Sequence, residues 1–268
     1  MKWGMQMILT ELWRFPVKSM RGSRARQMAV DARGPHLDRH WMLVDGEGRF
    51  LTQRQLPRMA LLNTRLDDGR LSLWVDGGEP LTVTCVEDGP LLDVRVWRDD
   101  CRARGVDPPV DAWLSDFLQT DCRLVYLPQE QERAVDPDYA RAGEQVGFAD
   151  GFPFLLISQA SLDDLNARLE EPVPMQRFRP NLVVEGCAPY AEDSWQRLRI
   201  GGMVLRAVKP CSRCIIPTID PATAQRNAEP LRTLGTYRRR DNRVYLGQNL
   251  LHDGPGQLEE GMPVEVLA

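Results

Sequence analysis

A β-barrel-rich mixed α/β (α+β) fold, with no doubly wound parallel sheet, is the architecture that this sequence predicts. Three observations point there. Apolar, partly alternating runs of strand length recur along the 268 residues, which is the pattern of half-buried strands. Turn dipeptides punctuate them, with Asp-Gly at 45–46, 68–69 and 88–89 and Gly-Gly at 77–78. Only two stretches carry helical periodicity, too few to cover both faces of a parallel sheet.

The elements follow in chain order. Met7–Phe15, Trp41–Val44, Arg70–Val75, Leu81–Val86 and Leu91–Val96 read as strands. Val110, Trp113, Leu114 and Phe117 then fall at i, i+3, i+4 and i+7, which predicts a helix over Val110–Leu118. Cys122–Leu127 returns to a strand. Residues 128–147 are charged and proline-containing, the natural loop or boundary. The strand Phe154–Ser158 precedes a helix over Ser161–Leu169, with Ser161 as N-cap and Asp164 three residues on. Further strands are expected at Leu182–Glu185, Leu198–Ile200, Val204–Val208 and Val244–Leu246, and GMPVEVLA closes the chain with one more. No repeat of fixed period is visible.

Composition bounds the function. An apolar fraction of 43% with 27% charged residues describes a soluble globular chain, large enough for one domain or two. A net charge of −4 gives no global field toward nucleic acid or anionic lipid. No apolar run approaches the roughly 18–20 residues that span a bilayer. The amino terminus lacks the basic start, apolar core and cleavage site of a signal peptide. Six cysteines in a chain of this size suggest no secreted framework. A cytoplasmic protein with reduced thiols is expected, acting on neither membrane nor nucleic acid. The cationic segment 236–243 (TYRRRDNR) keeps a nucleic-acid-binding module as a rival reading, which the overall charge disfavours.

Several chemistries lack their motifs: GxxxxGK[ST], GxGxxG opening a helix, HExxH and GxSxG do not occur. His40 beside Trp41 reads as a packed or surface residue. The sharpest local feature is Lys-Pro-Cys-Ser-Arg-Cys at 209–214. Zinc would need a second ligand pair, a thioredoxin-like pair would need a following helix, and an iron–sulfur cluster would need ferredoxin spacings. Structural cysteines stay open as a reading, beside a single thiolate bound to a soft metal centre and activated by Lys209 and Arg213. Four further clusters supply cations with polar neighbours: 16–22 (PVKSMRG), 38–41 (DRHW), 52–55 (TQRQ) and 178–181 (FRPN). Together they suggest cationic walls around a phosphorylated cofactor.

These segments resemble the molybdenum cofactor sulfurase carboxy-terminal (MOSC) family, in the branch of the mitochondrial amidoxime reducing component and its YcbX-like relatives. The resemblance is carried by FPVKSMRG at 15–22, DRHW at 38–41, TQRQLPR at 52–58 and PFLLISQASLDDLNARL at 153–169. FRPNLVV at 178–184, YAEDSW at 190–195, KPCSRCIIPTIDP at 209–221 and EPLRTLGTYRR at 229–239 complete it, nearly the whole chain in family order.

The resemblance implies a MOSC N-terminal β-barrel-like domain over residues 1–127 and a MOSC domain over 128–268. It implies molybdenum cofactor (molybdopterin) as the bound group. Cys214 matches the thiolate ligand to molybdenum and so the catalytic position. Ser212 and Arg213 match cofactor contacts beside it. Lys18, Ser19 and Arg39 match residues around the pterin phosphate, Arg179 and Asn181 contacts from the other half, and Asp150 and Gly151 the loop that touches the pterin. Cys211 matches no ligand and reads as a partly buried thiol. At family level a pyridoxal phosphate association also comes along, attached to no residue here. The implied reaction removes oxygen from an N-hydroxylated compound (amidoxime, hydroxylamine or N-hydroxylated base) using two electrons and releasing water. YcbX-like relatives append a ferredoxin-type domain, which this sequence lacks, so the electrons are expected from a separate ferredoxin, flavoprotein or cytochrome. A non-catalytic cofactor carrier or sulfur-transfer protein is the alternative.

Overall fold

A computed structural model describes residues 6–83 and 89–267. Strand makes up 40% of it and helix 16%, the β-rich mixed fold that the sequence predicts.

The first half is built from small antiparallel sheets. One runs Trp41–Val44, Arg123–Tyr126, Asp99–Gly105, Leu91–Val96; another runs Asn63–Asp67, Arg70–Trp74, Leu81–Val83. The expected strand at 81–86 is seen through Val83, and 84–86 lie outside the described residues. Asp99–Gly105 (DDCRARG) is a strand that the sequence hides, because its charges break the alternation; it pairs with Leu91–Val96 from Asp99↔Val96 to Arg104↔Leu91. Helix α1 (Pro108–Leu118) starts two residues earlier than expected, with prolines in its first turn, where a missing N–H costs nothing. It ends where Gln119 turns left-handed at φ 54°. Its buried face is Val110, Leu114 and Leu118, packed on Trp41, Leu71 and Leu124. Each such burial stabilises by roughly 1.5–3 kcal/mol.

The second half centres on a nine-stranded sheet. Its path runs Val264–Leu267, Arg197–Ile200, Met203–Ser212, Arg243–His252, Phe154–Ser158, Leu182–Glu185, Ile8–Arg14, Ser23–Ala25, with Arg239–Arg240 on a side branch. The first strand of the chain therefore belongs to this sheet. It pairs antiparallel with Leu182–Glu185 from Ile8↔Glu185 to Leu12↔Leu182, so the segment after it is delivered against the second half.

Phe154–Ser158 and Leu182–Glu185 are parallel, joined by a crossover that holds α2 (Gln159–Asn166). Here the cap expectation is corrected. Ser158, at the strand end, is the N-cap and accepts from the Ser161 N–H; Ser161 lies inside the helix, which stops at Asn166. Ser161 Oγ instead donates to Glu192 Oε1 at 2.7 Å, and Glu192, fully buried, also accepts from Ser158 N–H (3.1 Å) and Oγ (2.9 Å).

Two strands outrun their expected bounds. Met203–Ser212 continues past Val208 through register shifts at 207/209 and 210/212, which accommodate Pro210. Arg243–His252 continues through Gly247, whose φ of 84° and approach to Ile157 leave no room for a Cβ. A short helix, α3 (Leu231–Tyr237), was not signalled by the sequence. No described helix is long and apolar enough to cross a membrane.

Residues 128–147 are irregular, as expected of a connection, but anchored. Val135 and Val146 are buried, and Arg133 donates to the carbonyls of Gly147 (2.7 Å) and Ala149 (2.6 Å) while pairing with Asp99 at 2.7 Å. That anchor sets the position of Asp150.

Candidate active site

Past the first strand the chain leaves the sheet at Phe15, whose N–H donates to Asp38 Oδ1 at 2.7 Å. Gly22 packs so tightly under the Phe15 ring that a Cβ would sit 2.4 Å from it. Between them, Lys18 N–H donates to the Trp41 carbonyl at 2.8 Å and Trp41 N–H to Pro16 at 3.1 Å, while Ser19 turns through the left-handed region at φ 65°. This bridge buries Lys18. Its Nζ donates to the Phe148 carbonyl (2.7 Å) and to Asp150 Oδ1 (2.5 Å).

Arg39 and Arg179 both occupy left-handed backbone positions, at φ 50° and 58°. Both guanidiniums lie over the Phe15 ring, each 4.3 Å from its centroid. Arg39 donates to Asp38 Oδ2 (2.5 Å), Asn181 Oδ1 (3.1 Å) and the Arg179 carbonyl (3.2 Å). Arg179 donates to the Met20 carbonyl at 2.5 Å. Asn181, almost wholly buried, also donates to the Trp13 carbonyl at 3.2 Å. These bonds knit the loop at 15–22 to the segment at 178–181.

The 209–214 segment ends the strand Met203–Ser212, and a short 3-10 turn at Ile216–Thr218 follows. No helix opens after it, so the thioredoxin-like geometry is missing. Among the described residues no three His, Cys, Asp or Glu side chains cluster as a metal-ligating set. Lys209, expected to activate the thiolate, instead lies over Tyr139 at 4.1 Å. Arg213 spends Nη1 on Cys211 Sγ (3.0 Å) and Nη2 on the Phe178 carbonyl (2.7 Å). Arg54 is a further cation on the cavity that Cys214 lines, and its Nη2 donates to Asp150 Oδ2 at 2.9 Å.

Every residue that the resemblance places at the cofactor lines one open cavity. Lys18, Ser19 and Arg39 come from the first half, and Asp150, Gly151, Arg179, Asn181, Ser212, Arg213 and Cys214 from the second. The cavity holds about 790 Å³ of space not filled by atoms, its mouth included. Cys211 lines it too, half-buried. Arg54, Phe152 and Asn249 are among the other lining residues and were not among the site residues read from sequence. Arg54 had a signal in the cationic TQRQ cluster. His40 stays out of the cavity. It is buried against Tyr126, and burial pushes its pKa down to about 4.

The electrostatics suit an anion. Burial lowers Lys18 to about 8, partly offset by Asp150. Burial and then the neighbouring Arg39 lower Arg179 to about 9. Asp150 is held below the usual carboxylate range, Lys18 and Arg54 outweighing desolvation. Arg213 Nε is buried with no hydrogen-bond partner. Lys18, Arg39, Arg54, Arg179 and Arg213 thus face a cavity whose own carboxylate is Asp150, and a phosphate would relieve their repulsion and fill open donors. Cys214 offers one soft donor where a pterin dithiolene would bring the others. The residues fit a molybdenum-bearing phosphopterin.

Comparison with known proteins agrees with this chemistry. The MOSC N-terminal beta barrel domain matches residues 6–121, and the MOSC domain matches residues 143–265. Mitochondrial amidoxime-reducing component 1 of Mus musculus is 37% identical over 97% of this chain and 82% of its own length. The Homo sapiens protein of that name is 36% identical over the same shares. Mitochondrial amidoxime reducing component 2 of Bos taurus is 35% identical over 86% of this chain and 72% of its own. Among solved structures, the YuaD protein of Bacillus subtilis covers 97% of this chain and 94% of its own at 9% identity, with a TM-score of 0.40. That likeness carries no argument here.

Proposed function

The chain belongs to the MOSC family, and from that premise we propose that it is a molybdenum-cofactor-dependent reductase of N-hydroxylated compounds, fed by a separate electron-donor protein. The observation that carries the reading is the convergence of Lys18, Ser19, Arg39, Asp150, Gly151, Arg179, Asn181, Ser212, Arg213 and Cys214 on one cationic cavity. The names of its relatives support the reductive chemistry.

Each residue has a part in it. Cys214 is the thiolate ligand. Lys18, Arg39 and Arg179 hold the pterin phosphate, the two guanidiniums stacked on Phe15 so that their forks are fixed before the anion arrives. Asn181 keeps Arg39 in place and Asp150 keeps Lys18 in place. Gly151 leaves its side of the cavity open, since a Cβ there would meet no atom within 4 Å. Ser212 and Arg213 flank the thiolate. When bound, the molybdenum centre supplies the oxygen-accepting, two-electron chemistry that side chains cannot. Those electrons come from outside the 268 residues, among which no ferredoxin spacing, flavin fingerprint or haem-attachment motif occurs.

As a docking patch for that donor protein, the arginine run at 238–240 offers less free charge than its sequence suggests. Arg238 is paired with Asp193 at 2.5 Å and Arg240 lies over Tyr245 at 4.8 Å.

The test is reduction of benzamidoxime by the purified, cofactor-loaded protein. Turnover is expected with reduced methyl viologen or with an added redox protein, and not with NADH alone. A loaded protein that reduces no N-hydroxylated compound with methyl viologen would instead support a cofactor carrier.

A further inference from the structure

We infer that Trp97 is the substrate platform of this site. Its indole, held beside the cavity, receives the flat organic part of the substrate and favours aryl and heteroaryl N-hydroxylated compounds over small aliphatic ones. The inference rests on the reading of the cavity as a reductase site.

Trp97 and Arg98 form the two-residue turn between Leu91–Val96 and Asp99–Gly105, since Val96 pairs with Asp99. Trp97 lies there in the left-handed region, at φ 58°. Glycine or asparagine fills such a hairpin position at least cost, and a bulky ring in it is an outlier of the kind that gathers at functional sites. Core packing does not account for it, because the residue is 45% exposed.

The ring is fixed against the cavity instead. Its Nε1–H donates to Asp150 Oδ1 at 3.2 Å, and the Arg54 guanidinium lies over it at 4.7 Å. Both of these partners line the cavity, and Arg54 Nη2 joins them to each other by its bond to Asp150 Oδ2. Phe50 packs on the indole with centroids 5.0 Å apart. A turn of the first half is thus tied to the second-half loop that carries Asp150.

The rest of the wall offers an organic substrate little. Lys18, Arg39 and Arg179 are cations suited to the phosphate. Phe154 and Phe178 line the cavity but are buried, and Phe152 packs edge-on against Tyr139 with centroids 5.7 Å apart. Trp97 adds an accessible indole that is rigid before any ligand arrives. Stacking on such a ring recognises any flat π system and does little for a methyl group.

The experiment loads native, Trp97→Asn and Trp97→Phe proteins with cofactor and measures their molybdenum content. It then reads KM and kcat for benzamidoxime and acetamidoxime with reduced methyl viologen. Calorimetric titration with the amidine products, benzamidine and acetamidine, reads binding without turnover. Asparagine suits the left-handed turn and removes the ring, whereas phenylalanine keeps a ring and loses the bond to Asp150. Trp97→Asn should raise the benzamidoxime KM and the benzamidine Kd about tenfold, against about twofold or less for the acetyl pair. The effect should fall on KM rather than kcat, with native molybdenum content. Trp97→Phe should lie between native and Trp97→Asn. If Trp97→Asn does not fold, the native protein decides: benzamidine must bind about tenfold tighter than acetamidine or better. Unchanged benzamidoxime constants, an equal rise for both substrates, or a loss of molybdenum in Trp97→Asn would reject the platform. A defect seen with a redox-protein donor and absent with methyl viologen would assign Trp97 to the donor's docking surface instead. Native protein that reduces neither amidoxime yet binds benzamidine, with binding weakened in Trp97→Asn, would overturn the reductase reading and leave the platform standing.

Discussion

Lys18 is buried with its charge. The side chain is 5% exposed, and burial takes its pKa from the ordinary 10.5 to about 8. That difference is worth about 3 kcal/mol, charged against the fold of the cofactor-free protein. Below pH 8 both folded and unfolded chains carry the proton, and the full cost is present. Between about 8 and 10.5 the unfolded chain keeps the proton that the folded chain has lost, so stability rises with pH. Above 10.5 both are neutral and the cost is gone. Lys18→Met removes this titration whatever else it does to stability. Denaturant unfolding of the cofactor-free native and Lys18→Met proteins, at half-unit steps from pH 7 to 10, isolates it, because groups that do not touch Lys18 cancel in the difference. Native stability should gain on the variant by up to about 1.4 kcal/mol per pH unit above pH 8. Stability curves that stay parallel from pH 7 to 10 would show that Lys18 is not buried as a cation, and the anion-binding argument would lose its strongest member.

Cys214→Ser should abolish N-reduction with the fold retained, since a hydroxyl is a poor ligand for a soft centre, while Cys211→Ser should keep substantial activity; methyl viologen assays and circular dichroism check both, and a reversal would reject the assignment. Arg179→Ala should lose cofactor on gel filtration more than Arg179→Lys, because lysine restores the charge without the fork; equal retention in both and in native protein would remove Arg179 from the grip. Glu192→Ala should destabilise the chain by about 3 kcal/mol or more in denaturant unfolding, since it strands the buried donors of Ser158 and Ser161; a loss below about 1 kcal/mol would mean that water replaces the carboxylate.

Much of the fold was legible where strands are short and regular. Trp41–Val44, Leu91–Val96, Phe154–Ser158 and Leu182–Glu185 run between their expected bounds. Legibility fails where a residue breaks the pattern and the strand survives by bulging or by close packing, as at Pro210 and Gly247. It fails again where charges alternate on an exposed face, as in Asp99–Gly105. The cap of α2 was misread because Ser158 and Ser161 are both serines, and only the buried Glu192 decides which one caps and which is bonded from outside. The site presents a different limit. The clusters around Lys18, Arg39, Arg179 and Cys214 are visible as cations and a thiol, yet only family resemblance joined them into one pocket. Arg54 is visible as a cation but not as a wall of this cavity, and Arg213 and Lys209, the natural partners of Cys214 by sequence, are turned to Cys211 and Tyr139.

The central claim is that this cavity holds a molybdenum-bearing phosphopterin with Cys214 as its protein ligand. Metal analysis of the native and Cys214→Ser proteins, purified from a host that makes the cofactor, tests it most directly. The account expects about one molybdenum per native chain, a large loss on substitution and no stoichiometric zinc. Native protein that carries zinc or no metal from a competent host would contradict it.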